Sequence, residues 1–130
     1  MPSRIAVLAI DAVNPKVVAD FWSRVLDWRI VEESAEGVTI APPSGAWPGI
    51  DVFSVPEHKA GKNRLHLDLR ADGVSTADEL ERLIGLGAQR VDVGQAPDVT
   101  WVVLADPEGN EFCLLLRAVQ DLEDSEKPPS

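Results

Sequence analysis

The stretch 64-RLHLDLRADGVSTADELERLIGLGAQRVDV-93 decides the fold, because it reads as strand, helix and strand, and repeats an order already present near the start of the chain. Leu65, Leu67 and Leu69 alternate with Arg64, His66, Asp68 and Arg70, the period of a strand with one apolar and one polar face. The segment 75-STADELERLIGLGA-88 then has helical spacing. Ser75 and Asp78 form a capping pair, Ala77, Leu80, Leu83 and Ile84 an apolar stripe, and Gly85 and Gly87 end the helix. Strands are predicted over 88-AQRVDV-93, 100-TWVVLAD-106 and 111-EFCLLLR-117.

Outward from there, the first half has the same order. The short apolar run 5-IAVLAI-10 predicts a buried strand. Asn14 caps a helix whose first residue is Pro15, where a missing N–H costs little. Val17, Val18, Phe21, Trp22, Val25 and Leu26 follow at helical spacing, and 28-WRIVEE-33, 37-GVTIA-41 and 49-GIDVFSV-55 predict three strands. The chain is therefore strand-helix-strand-strand-strand twice, the copies offset by about sixty residues. The expected fold class is α+β: two tandem βαβββ modules forming an open, cupped mixed sheet with helices outside and a groove between. The modules span about 4–55 and 64–117, joined by the linker 56–63, within a single domain over 1–117. The acidic, Pro-containing segment 118–130 predicts a disordered tail.

A chain of 130 residues suits one domain with a sizeable core, and its 45% apolar and 26% charged residues are those of a soluble globular protein. The net charge of −10 argues against nucleic acid and anionic membrane surfaces as partners, since both need clustered positive charge. The opening MPSRIAVLAID has neither a signal-peptide core nor a membrane span. A single cysteine, Cys113, excludes an intramolecular disulfide and fits a reducing cytoplasm, the expected location.

In this order and spacing, 20-DFWSRVLDW-28, 66-HLDLRAD-72 and above all 105-ADPEGNEFCLL-115 resemble motifs of the vicinal oxygen chelate superfamily. That superfamily includes glyoxalase I, bleomycin-resistance proteins, fosfomycin-resistance enzymes and extradiol dioxygenases. The combination of 56-PEHKAGKNRLHLDL-69 with DPEGNEFC is similar to a glyoxalase-like subgroup common in actinobacteria, and the likeness runs over residues 4–117. The resemblance implies a bacterial homodimer, and a divalent cation held by His, Gln or Glu from the first and last strands of each module. It places His66 at the second module's ligand position.

The remaining positions argue against that cation. Residues 5–10 are all Ile, Ala, Val or Leu, and Cys113 stands where the family has its last-strand Glu. Asp51 is the only further candidate, so His66, Cys113 and Asp51 are the possible ligands. No cofactor is expected; a zinc site of this His, Cys and Asp set is the one divalent-metal alternative. His66 otherwise lines the groove, binds a ligand or moves a proton, and is the candidate catalytic residue. Asp68 shares its face, although Arg64 and Arg70 compete for the carboxylate. Cys113 reads as a small buried hydrophobe more than as a nucleophile.

Of the four tryptophans, Trp22 and Trp28 are expected in the core. Trp47 in 42-PPSGAWPG-49, Trp101 and Phe53 are candidates to stack a flat ligand, with Trp47 alternatively a lid or dimer contact. Lys59, Lys62 and Arg64 either receive an anionic ligand group or form a solvated linker, and His58 is expected to be exposed. The expected function is capture of a small organic molecule in the groove without the usual metal. The alternative is a lyase or isomerase with His66 as acid/base or metal ligand, and not a typical glyoxalase I, whose chemistry needs a metal to polarise oxygens.

Overall fold

The computed structural model describes residues 2–91 and 101–127. The chain divides into two compact units, residues 1–60 and 61–130.

In the first unit the order is β1 (Val7–Ala12), α1 (Pro15–Leu26), β2 (Arg29–Ser34), β3 (Gly37–Ala41) and β4 (Gly49–Ser54). The sheet order is β1-β4-β3-β2, with β1 parallel to β4 and the other pairs antiparallel. Helix α1 packs on β3 and β4, and Val18, Phe21, Trp22 and Val25 are buried along with Val38, Ile40, Ile50 and Val52 of the sheet. Phe21 and Trp22 meet edge to face with centroids 5.2 Å apart, an arrangement favoured by the ring quadrupoles. Trp28 is half-buried. Val17, expected in the apolar stripe, is exposed.

Two expectations are corrected here. Asn14 precedes Pro15 as expected, but its side chain makes no cap bond; its carbonyl oxygen accepts the N–H groups of Val17 and Val18. Strand β1 runs two residues later than the apolar run suggests, so Asp11 lies inside it, exposed and opposite Phe53. Pairing with β4 sets this boundary, and the apolar run does not. Gly37 is required by a close approach: a Cβ there would overlap the carbonyl oxygen of Val52 on β4.

The second unit repeats the order with β5 (Asp68–Leu69), α2 (Thr76–Leu86), β6 (Gln89–Arg90), β7 (Trp101–Ala105) and β8 (Glu111–Leu115). Its sheet order is β5-β8-β7-β6, with β5 parallel to β8. The architecture is therefore α+β: two open four-stranded mixed sheets, each with one helix. Ser75 caps α2 by accepting the N–H of Asp78 at 3.1 Å, and Gly87 at φ 119° closes it, while Gly85 stays within the helix. Leu83 is fully buried, whereas Ile84 is exposed and falls off the stripe. Among the described residues no helix is long and apolar enough to cross a membrane.

The strand expected over 64–70 pairs only at Asp68 and Leu69, and Leu65 is 91% exposed. The parallel register puts His66 level with Glu111, the first residue of β8, so residues 64 and 65 lie beyond the start of that strand, while the Leu67 carbonyl accepts the N–H of Cys113. The strand expected over 88–93 holds its last described bond at Val91, whose N–H donates to Val103; residues 92–100 lie outside the described residues. The tail also departs from expectation. Residues 119–121 and 124–126 form 3₁₀ turns, Ala118 and Leu122 are buried, and Val119 donates to the Ala71 carbonyl. Composition alone missed two apolar anchors spaced to reach the unit's surface. Residues 128–130 of that predicted tail lie outside the described residues.

Candidate functional site

The turn between β7 and β8 fixes the geometry. Asp106, only 4% exposed, accepts the N–H groups of Glu108 and Asn110 through Oδ1, at 2.9 and 3.0 Å, and the Asn110 amide through Oδ2 at 2.9 Å. Gly109, at φ 89°, donates its N–H to the Asp106 carbonyl; this left-handed conformation is costly for any residue with a Cβ. The 105-ADPEGNEFCLL-115 motif thus acts as a register lock: it sets Ala105 opposite Glu111 and Val103 opposite Cys113.

That register carries Cys113 to β5, where its Cα partner is Asp68 and its N–H donates to the Leu67 carbonyl at 2.9 Å. His66 and Asp68 flank Leu67 at a two-residue interval, so their side chains leave the chain on one face. Cys113 lies on that face. The outcome is a cluster of three: a ring nitrogen of His66, a carboxylate oxygen of Asp68 and the Cys113 sulfur all lie within 4.8 Å of one another. His66 and Asp68 are exposed, while Cys113 is 8% exposed.

His66 Nδ1 stands 3.1 Å from Asp68 Oδ1. An ionised carboxylate only accepts, so the bond places a proton on Nδ1 and leaves the Nε2 lone pair of the neutral ring available. The competition expected from Arg70 does not arise, because its guanidinium donates to the Arg117 carbonyl at 2.9 Å. Burial first, and the Asp68 carboxylate second, push the Cys113 thiol up, with Lys62 opposing them. A thiol held protonated is a poor nucleophile.

The signal missed in the sequence lies in the linker. Asn63 donates its backbone N–H to Glu111 Oε2 at 3.2 Å and its amide to the Glu111 carbonyl at 3.5 Å. This tie holds the linker at the start of β8, with Lys62 close enough for its charge to act on Cys113. His58 is exposed, as expected. Trp101, opposite Leu115, shares the Cys113 face of its sheet.

In the first unit, the sheet face turned away from α1 carries Val7, Ala9 and Asp11 of β1, Asp51 and Phe53 of β4 and Thr39 of β3. Thr39 Oγ1 donates to Asp51 Oδ1 at 2.6 Å. Asp51 therefore has a partner within its own sheet, and the carboxylate found with His66 and Cys113 is that of Asp68. Trp47 is exposed, and the Arg4 guanidinium lies 4.7 Å from its ring centroid, within cation–π range.

The hard-cation site implied by the resemblance fits these residues poorly. Val7 and Ala9 offer no donor on β1. The last-strand carboxylate is replaced by Cys113, a soft ligand.

Comparison with known proteins agrees with this fold. No curated protein matches the chain. Among solved structures, it is similar to a glyoxalase/bleomycin resistance protein/dioxygenase family enzyme from Burkholderia phytofirmans PsJN, at 18% identity and a TM-score of 0.62, covering 86% of this chain and 97% of that one. The fosfomycin resistance protein FosX from Mesorhizobium loti is similar at 14% identity and a TM-score of 0.66, covering 92% and 96%. TnmS3, an antibiotic-binding protein from Streptomyces sp. CB03234, is similar at 17% identity and a TM-score of 0.56, covering 88% and 97%. These likenesses concern the fold. The glyoxalase-like domain model matches residues 7–115, the span from β1 to β8, and the chain belongs to that family.

Proposed function

We propose that this chain binds a small organic molecule on the sheet faces that its helices leave open, without the hard divalent cation of metal-dependent relatives. The observation that carries the reading is the apolar content of those faces: Val7 is 43%, Phe53 42% and Trp101 37% exposed. Beside them stand a few polar groups, the Thr39–Asp51 and His66–Asp68 pairs. Large apolar surfaces with sparse, fixed polar groups suit an organic ligand with a flat or apolar body and a few hydrogen-bonding atoms. Relatives described as antibiotic-binding and fosfomycin resistance proteins support a ligand of that size class. The setting is a bacterial cytoplasmic homodimer, checked by light scattering.

The test is tryptophan-fluorescence titration against a panel of aromatic natural products and small oxygenated metabolites, with and without EDTA. Saturable binding that survives EDTA and falls at least tenfold in Phe53→Ala or Trp101→Ala supports the reading. Binding indifferent to both substitutions, or abolished by the chelator, overturns it.

A second reading, proton transfer by His66 in a lyase or isomerase, has one observation in its favour: the 3.1 Å bond to Asp68 orients the imidazole and leaves Nε2 available. Turnover that ignores EDTA and disappears in His66→Ala would establish it over simple capture.

A further inference from the structure

We propose that residues 116–126 form a strap that positions the His66–Asp68 pair, with Gln120 as the positioning residue. These residues follow the span matched by the family model, which ends at residue 115. The role lies beyond the ligand-binding reading and does not depend on it.

The sheet alone holds this pair weakly. β5 is an edge strand whose ladder with β8 contains only Asp68 and Leu69, and one further bond runs from the Cys113 N–H to the Leu67 carbonyl. So short an edge strand frays readily, because few backbone bonds must open together.

Beyond Leu69 the chain is held by the strap. The Arg117 carbonyl accepts from Arg70 Nη1 at 2.9 Å, and the Leu116 carbonyl accepts from Thr76 Oγ1 at 2.6 Å. The N–H of Val119 donates to the Ala71 carbonyl at 2.8 Å. Gln120 makes the most specific contact. Its Oε1 accepts the Gly73 N–H at 3.0 Å, and its Nε2 donates to the Val74 carbonyl at 2.9 Å. One amide thus meets a donor and an acceptor of the bend in which Gly73 stands at φ 81°. A carboxylate in its place would lose the donor, and an apolar side chain both bonds.

Anchors on both sides keep Gln120 in place although it is exposed. Ala118 and Leu122 are buried, and the Arg117 guanidinium donates to the Asp121 carbonyl at 2.8 Å and to Glu126 at 3.3 and 3.4 Å. At the other end of the segment, Asn63 is tied to Glu111. His66 and Asp68 therefore lie between two ties made by side chains. Slack at either tie lets water compete for the 3.1 Å bond between them.

Nitrogen NMR of His66 at alkaline pH, where the imidazole is neutral, reads the pair without any ligand. The parent ring should carry its proton chiefly on Nδ1. In Gln120→Ala the Nε2–H share should rise about threefold, and exchange of the Gly73 and Val119 N–H groups should quicken about tenfold while that of Val52 is unchanged. Gln120→Glu, which keeps the acceptor for Gly73, should change both readouts less, and it carries the test if circular dichroism shows Gln120→Ala unfolded. Gly37→Ala, a destabilising change confined to the first unit, should leave the tautomer as in the parent. Faster exchange at Gly73 with an unchanged His66 tautomer would mean that the strap holds the bend and not the pair, and would overturn the proposal. A parent ring protonated chiefly on Nε2, or an equal tautomer change in Gly37→Ala, would overturn it too.

Discussion

Replacing Asp106 should show how strongly one buried carboxylate holds the second sheet in register. Its two oxygens accept three hydrogen bonds, two from backbone N–H groups and one from the Asn110 amide. A hydrogen bond of this kind contributes about 1 kcal/mol net, and leaving buried donors without acceptors adds to the cost. Asp106→Ala should therefore lose about 3 kcal/mol in urea unfolding followed by far-ultraviolet circular dichroism. Asp106→Asn keeps the shape and one carbonyl oxygen for the two backbone donors. Its new NH₂ would face the Asn110 amide, which can turn its own oxygen inward, so the loss should be about 1 kcal/mol. The amide of Cys113, bonded to the Leu67 carbonyl, gives a local readout by hydrogen exchange. Its protection should drop in the alanine variant more than that of Val52, buried in the first unit. Equal losses for the two variants, or less than about 1 kcal/mol for alanine, would refute the view that carboxylate acceptance holds this turn.

Further outcomes follow from the same contacts. Gly37→Ala should cost about 1–3 kcal/mol because its methyl meets the Val52 carbonyl, whereas Gly61→Ala, with open space around it, should leave the urea midpoint unchanged. Burial and Asp68 raise the Cys113 pKa, so the thiol should react slowly with iodoacetamide at neutral pH and faster in Asp68→Asn; an unchanged or slower rate there would contradict the assignment. A raised thiol pKa stabilises the fold below the ordinary thiol range, and that contribution should fade as pH climbs through it. In the tail, Leu122→Ala should cost about 2 kcal/mol by loss of a buried side chain. Glu126 is held below the ordinary glutamate range first by the Glu123 backbone N–H and then by Arg117; its contribution is in place at neutral pH and should be lost as pH falls through its depressed value, as NMR titration of the side chain would show.

The repeat was legible because its signals are local. The Ser75 cap, Pro15 at a helix start and the turn chemistry of 106-DPEGN-110 each name a structure without reference to the rest of the chain. Boundaries that depend on a partner were not. The pattern 64-RLHLDLR-70 alternates cleanly, yet its ladder with β8 holds only Asp68 and Leu69, and residues 64 and 65 lie beyond the start of that strand. Apolar content placed β1 over 5–10, while pairing with β4 placed it over Val7–Ala12 and drew Asp11 into the strand.

The candidate site divides along the same line. Alternation put His66 and Asp68 on one face, and their bond is a matter of two residues on one strand. That Cys113 joins them is a question of register between strands more than forty residues apart in sequence. Periodicity assigns faces, but it leaves free how far one strand slides along another. The Asp106 lock removes that freedom between β7 and β8, and the Leu67–Cys113 bond removes it between β8 and β5. Two structural contacts with no chemistry of their own therefore decide which residue of β8 stands beside the His66–Asp68 pair. In the sequence Asp68 reads as a neighbour that can orient His66, with Arg64 and Arg70 competing for its carboxylate. In the folded chain it faces Cys113, where its charge adds to burial in raising the thiol pKa, so a residue set by strand register tunes the reactivity of the thiol.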